Sequence, residues 1–111
     1  MMYLRAIFVG FLLLAAAGCA TTIIQPTPAD VQWAQTRWPA VTLEDLQSGR
    51  SLYVQKCSSC HHLRNPAQYE PGRWPELLAK MRPKAKINPA EEELLVQYLS
   101  SASERTRNEA E

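Results

Sequence analysis

Apolar residues in this chain form one unbroken block near the start and helical stripes after it. Residues 6–17 are almost wholly apolar behind a start carrying a single basic residue, Arg5. Residues 20–29 are polar, with Pro26 and Pro28 punctuating them, and read as a tether with nothing to bury. A short helix is expected over residues 30–38, with Asp30 as cap, Val31, Ala34 and Trp38 near helical spacing, and Pro39 as the stop. Trp33 and Trp38 read as packing residues. The first strong helix starts at Thr42, because Thr42 and Asp45 stand at cap and third positions and acidic Glu44 and Asp45 suit the positive end of the helix dipole. Leu43, Leu46, Tyr53 and Val54 carry its apolar content toward Cys57. Gly49 interrupts that helix at a cost of about 1 kcal/mol relative to alanine, which predicts a close backbone approach by another helix.

Residues 61–72 hold Asn65, Pro66, Pro71 and Gly72 and read as a loop. A second helix starts at Trp74-Pro75-Glu76, where Trp74, Leu77, Leu78 and Met81 make an apolar stripe at i, i+3, i+4 and i+7, and Pro83 is expected to end it. Asn88 caps the last helix, with Pro89 at its first position, Glu91 at its third and Leu94, Leu95, Tyr98 and Leu99 as its buried face. After Ser100 the apolar residues run out, which predicts fraying. No segment alternates with period two and no repeat is present, so the expected fold is all-α.

The chemistry sits between the first two strong helices, in Cys57-Ser58-Ser59-Cys60-His61. Two thiols three positions apart with an imidazole directly after the second form the attachment signature of a c-type haem. Two thioether bonds along one edge of a planar macrocycle suit cysteines about one helical turn apart. His61 is then the proximal iron ligand, and its other ring nitrogen needs a carbonyl acceptor, for which Pro66 or a neighbour is the candidate. A redox dithiol or half a zinc site is the competing reading, but there is no βαβ pattern and no second cysteine pair to support it.

The initial block is too short for a comfortable transmembrane span and reads as a secretory signal peptide over residues 1–18. Ala16-Ala17-Gly18-Cys19 resembles a bacterial lipobox, although Ala16 stands where an aliphatic residue is usual. In that reading Cys19 is lipidated, and residues 19–29 become a lipid-anchored tether. A stray thiol in an oxidising compartment would be a liability, which favours lipidation over an ordinary cleavable signal. Ala20 after the lipid site resembles lipoproteins exported to the outer membrane, so the protein is expected to face the periplasm from that membrane rather than the inner one. Cleavage leaves residues 19–111, a length that buries only a marginal core unless a large apolar cofactor fills part of it.

Formal net charge is +1 over 111 residues, and this balance argues against nucleic acid as a partner. The charges are segregated: residues 56–86 hold seven basic and two acidic side chains, while residues 87–111 hold two basic and six acidic. A positive surface around an exposed haem edge would steer a redox partner with an acidic surface; ordinary solvation of the charges is the other reading.

Gly49 and Tyr53 ahead of the cysteine motif, with Tyr98-Leu99 in a terminal helix, resemble the class I cytochrome c family over residues 42–101. In that family the N-terminal and C-terminal helices cross through a glycine and an aromatic. The resemblance implies three to four helices wrapped around one covalently bound haem c, with the cytochrome domain over residues 30–101 and a polar tail over 102–111. It implies a monohaem electron carrier rather than an enzyme, bound through Cys57, Cys60 and His61. It also implies a methionine as sixth iron ligand, and Met81 is the only methionine left after processing. Met81 lies 20 residues past His61, closer than is usual in the family, and Arg82 separates it from Pro83. The alternatives are that Met81 is the last apolar knob of the Trp74 stripe and the iron stays open, as in a haem enzyme or gas sensor, or that the haem serves as a wire in a dehydrogenase complex. His62, adjacent to His61, cannot cross to the opposite haem face.

Overall fold

The structure, a computed structural model, describes residues 23–58 and 62–110. The signal peptide, Cys19 and the first part of the tether, together with Cys60 and His61, lie outside the described residues. Four α-helices follow one another: α1 Pro28–Gln35, α2 Leu43–Leu52, α3 Trp74–Ala85 and α4 Pro89–Ala110. One π turn, Tyr53–Cys57, prolongs α2, and two 3₁₀ turns, Pro66–Gln68 and Pro71–Arg73, lead into α3. Among the described residues there is no strand, so the chain is all-α, and no helix is long and apolar enough to cross a membrane.

Helix starts follow the capping chemistry of the sequence. Thr42 Oγ1 accepts the Asp45 N–H at 3.1 Å, and Asp45 Oδ2 accepts the Thr42 N–H at 3.0 Å, a reciprocal pair at the head of α2. Asn88 and Glu91 repeat it at the head of α4, at 2.8 and 3.0 Å. The cap of α1 differs from the expected Asp30. Thr27 fills that role and Asp30 sits at the third position, its carboxylate accepting the Thr27 N–H at 2.8 Å. Pro28 at the first position needs no donor, which explains why the helix starts before Asp30. Pro83 does not end α3, which runs on to Ala85 and closes on Lys86 in the left-handed region at φ 55°. A proline this close to the end forfeits only one intrahelical bond, and left-handed Lys86 supplies the actual stop.

Packing centres on α2 crossing α4. A Cβ built on Gly49 would stand 2.7 Å from Tyr98 Cβ and closer still to the Leu94 carbonyl oxygen, so glycine alone lets these backbones meet as the sequence led us to expect. Beneath the crossing, Tyr53, Cys57, Trp74, Leu78, Ile87, Leu95, Tyr98, Leu99 and Ala102 form the main buried cluster. A smaller one joins Ala34, Val41 and Leu46, with Trp33 and Trp38 packed on it.

Two stretches that composition marks as loose are docked. The segment from Ile23 onward is no tether: Ile23 is buried in the main cluster, and its carbonyl accepts from Arg50 Nε and Nη2 at 3.0 and 2.8 Å. Nor does the chain fray after Ser100. Ser100, Ser101, Ala102 and Ser103 are buried because small residues let the loop before α3 approach α4, and their hydroxyls find carbonyls: Ser100 donates to Pro71, Ser101 to Gln97, and Ser103 to Tyr69. Arg105, further along the expected tail, bonds Asp30 at 2.9 Å, whose side chain is only 2% exposed.

Gly49→Ala is expected to lower stability by about 1–3 kcal/mol through overpacking, although alanine is the better helix former. Chemical denaturation checks this, and a gain in stability would mean that the helices do not meet there. Arg105→Ala leaves Asp30 buried without its partner and should cost about 2–3 kcal/mol, below the figure for a fully buried pair because Arg105 is 23% exposed. A cost within about 0.5 kcal/mol of zero, as for an ordinary surface substitution, would show the pair to be solvent-screened.

Candidate functional site

Cys57 stands where α2, prolonged by its π turn, reaches the core. Both ends of that turn, Tyr53 and Cys57, are buried, and Cys57 is 7% exposed in the cluster that holds Trp74 and Leu78. Single π turns occur often at functional sites, where they re-aim a side chain within an otherwise regular helix. Ser58 follows with its hydroxyl donating to the Val54 carbonyl.

On the far side of the motif the chain is brought back to the same wall. The Tyr53 hydroxyl donates to the Arg64 carbonyl and accepts the Arg64 N–H at 3.0 Å, holding that residue by both backbone groups. Trp74 Nε1 donates to the Pro66 carbonyl at 3.0 Å, a buried bond. Tyr53 meets Trp74 edge-on at 6.4 Å between centroids, and Tyr69 meets Trp74 likewise at 5.3 Å. The Pro66 oxygen, the expected acceptor for His61, is therefore already engaged by the Trp74 indole. The Tyr53 clamp has no signal in the sequence, since nothing in Arg64 as a residue type announces that its backbone will be held.

Met81 lies on α3 one turn beyond Leu78. Trp74 and Leu78 are buried and Leu77 packs on the cluster, whereas Met81 is half-buried and is not among the side chains packed there. The stripe read from sequence therefore ends at Leu78 as far as the protein core is concerned. His62 is exposed.

The chemistry around Cys57 decides whether these residues suit a haem. A macrocycle held along one edge by thioethers needs its sulfurs against apolar, aromatic side chains, with the chain past the motif returned to them. Cys57 is buried in the cluster that holds Tyr53 and Trp74, these two return the chain, and Met81 offers a half-buried soft sulfur on α3. The described part of the donor set fits. Cys60 and His61 enter through the sequence alone.

Electrostatics around the site are milder than the residue count implies. Lys56 lies 3.5 Å from Glu91, Arg82 grips Glu92 at 2.6 and 2.8 Å, and Glu76 lies 3.6 Å from Arg73 and 3.4 Å from Lys80. The guanidinium hydrogen bonds of Arg82 hold the Glu92 carboxyl below its usual range. Arg64, Lys84 and Lys86 are exposed and enter no ion pair among the described residues, so the net positive surface rests on them and on the second cation of the Arg73–Glu76–Lys80 trio. The chain matches no family model, no curated protein and no solved structure.

Burial pushes the Tyr53 phenol up to about 12, against the opposing hydrogen bond with the Arg64 backbone, and raises Tyr98 as well. In the unfolded chain a tyrosine releases its proton near pH 10, so stability from the buried neutral phenol is complete below pH 10 and is lost as pH climbs toward 12. Tyr53→Phe should cost about 1 kcal/mol at pH 8, where the Arg64 N–H loses its acceptor, and should flatten the fall between pH 10 and 12. Guanidinium midpoints at the three pH values check it; an unchanged slope would place Tyr53 in contact with solvent.

Proposed function

We propose that this chain is a monohaem c-type cytochrome of the class I kind, anchored as a lipoprotein through Cys19 and facing the periplasm from the outer membrane, where it carries single electrons between proteins. The observation that carries the reading is the position of Cys57. The first thiol of the attachment motif is buried in the aromatic cluster to which both flanks of the motif are fastened. The close crossing of α2 and α4 at Gly49 and Tyr98 supports the same family, since it is the helix pair that the resemblance implies.

Each residue has a task in this reading. Cys57 and Cys60 would hold the macrocycle covalently, and His61 and Met81 would supply the iron's ligands. Haem c supplies a one-electron couple, whose ferrous form a thioether ligand favours. Trp74 and Leu78 keep water from the wall on which the ring would lie. Tyr53 and Trp74 hold the chain after His61 so that the imidazole has a fixed origin. Arg64, Lys84 and Lys86 give the surface a positive bias that attracts an acidic partner, an attraction that salt weakens.

Met81 separates transfer from catalysis. A thioether ligand closes the iron to substrate, while an open iron would serve a haem enzyme or gas sensor. The half-exposed position of Met81, off the protein core, favours the ligand role over the packing role. Met81→Ala is expected to convert a low-spin ferric spectrum with a sulfur-to-iron charge-transfer band into a high-spin one lacking it, with little loss of fold stability. Should the variant keep the wild-type spectrum, Met81 is not a ligand. Should the wild type itself be high-spin, the sensor reading replaces the carrier.

A further inference from the structure

We infer that the anchored domain rides directly on the lipid surface, with the half that carries Ile23 kept toward the headgroups, and does not swing on a tether. This rests on the lipid-anchor reading of Cys19 and adds to it an observation independent of that reading. Three successive carbonyls are each captured by a side chain of the domain. Ile23 O accepts from Arg50 Nε and Nη2, Ile24 O accepts from Tyr98 Oη at 2.7 Å, and Gln25 O accepts from Arg105 Nη2 at 2.8 Å. The donors come from α2, the middle of α4 and its last third, so the segment is pinned at three separate places. Ile23 adds a buried side chain, and the Thr27–Asp30–Arg105 bonds fix the chain again a turn later.

A segment held at consecutive residues belongs to the rigid body. The chain between a lipidated Cys19 and that body is then residues 19–22, which reach about 14 Å at full extension, against about 35 Å if freedom continued to residue 29. An 80-residue domain is about 30 Å across. Turning the opposite face to the bilayer would lift the exit at Ile23 by that full breadth, beyond the reach of the leash. The half of the domain where Arg50 and Tyr98 meet Ile23 therefore stays toward lipid.

Neutron reflectometry of the full lipidated protein on a supported phospholipid bilayer tests this. The expected profile has protein density starting at the headgroups and ending about 30 Å out, one domain thick. Inserting six Gly/Ser residues between Thr22 and Ile23 leaves the docking intact and adds about 21 Å of reach, so the layer should thicken and rise. Arg50→Ala with Tyr98→Phe frees only Ile23 and Ile24, because Arg105 still holds Gln25, and should raise the layer by about 7 Å at most; if that variant unfolds, the insertion still decides. A wild-type layer as raised and diffuse as that of the insertion variant overturns the inference while the acylated mass upholds the anchor. A chain that lacks acyl mass on Cys19 and washes off the bilayer overturns both.

Discussion

The close crossing of α2 over α4 is the constraint on which the rest of the molecule depends. Backbones meet at Gly49 because no side chain stands between it and the Leu94–Tyr98 turn. With the helices that near, the Tyr53 and Tyr98 rings come within 6.5 Å of each other between centroids, and the end of α2 carries Cys57 into the buried cluster. A backbone contact thus sets the address of the chemistry.

Around that crossing the chain uses polar bonds to hold segments that lack apolar residues. Buried serines on α4 take the carbonyls of the loop before α3, and Tyr53 and Trp74 take hold of the loop that follows the cysteine motif. Arginines do the same for the N-terminal segment. In each case a hydroxyl, an indole or a guanidinium meets a main-chain oxygen, and these bonds make short, poorly apolar stretches part of the fold. Much of the ordering in this small domain therefore comes from directional bonds at its edges.

Helix positions were legible in the sequence wherever capping chemistry and apolar spacing agreed, as at Thr42, Asn88 and the Trp74 stripe. The glycine crossing was legible too, because an unfavourable residue in mid-helix demands a compensating contact. What composition hid were contacts made by polar residues. Ser100 and Ser103 look solvated and are buried, Arg105 lies in a stretch that reads as a tail and reaches Asp30, and Ile23 belongs to a segment that reads as a tether yet sits in the core. Side-chain to main-chain bonds across many residues leave no periodic trace, so hydropathy cannot find them. At the site, the cysteine motif was plain as chemistry, while the Tyr53 clamp and the use of Pro66 by Trp74 needed coordinates. Met81 illustrates the limit from the other side: helical spacing placed it on the core stripe, and the geometry leaves it at the edge.

The central claim is covalent attachment of one haem to Cys57 and Cys60. The mature protein, purified from a host that matures c-type cytochromes, should be red, should give a c-type pyridine haemochrome at one haem per chain, and should carry the haem in its intact mass under denaturing conditions, with neither thiol open to alkylation. A colourless protein of bare polypeptide mass, with Cys57 and Cys60 both alkylated, would contradict it.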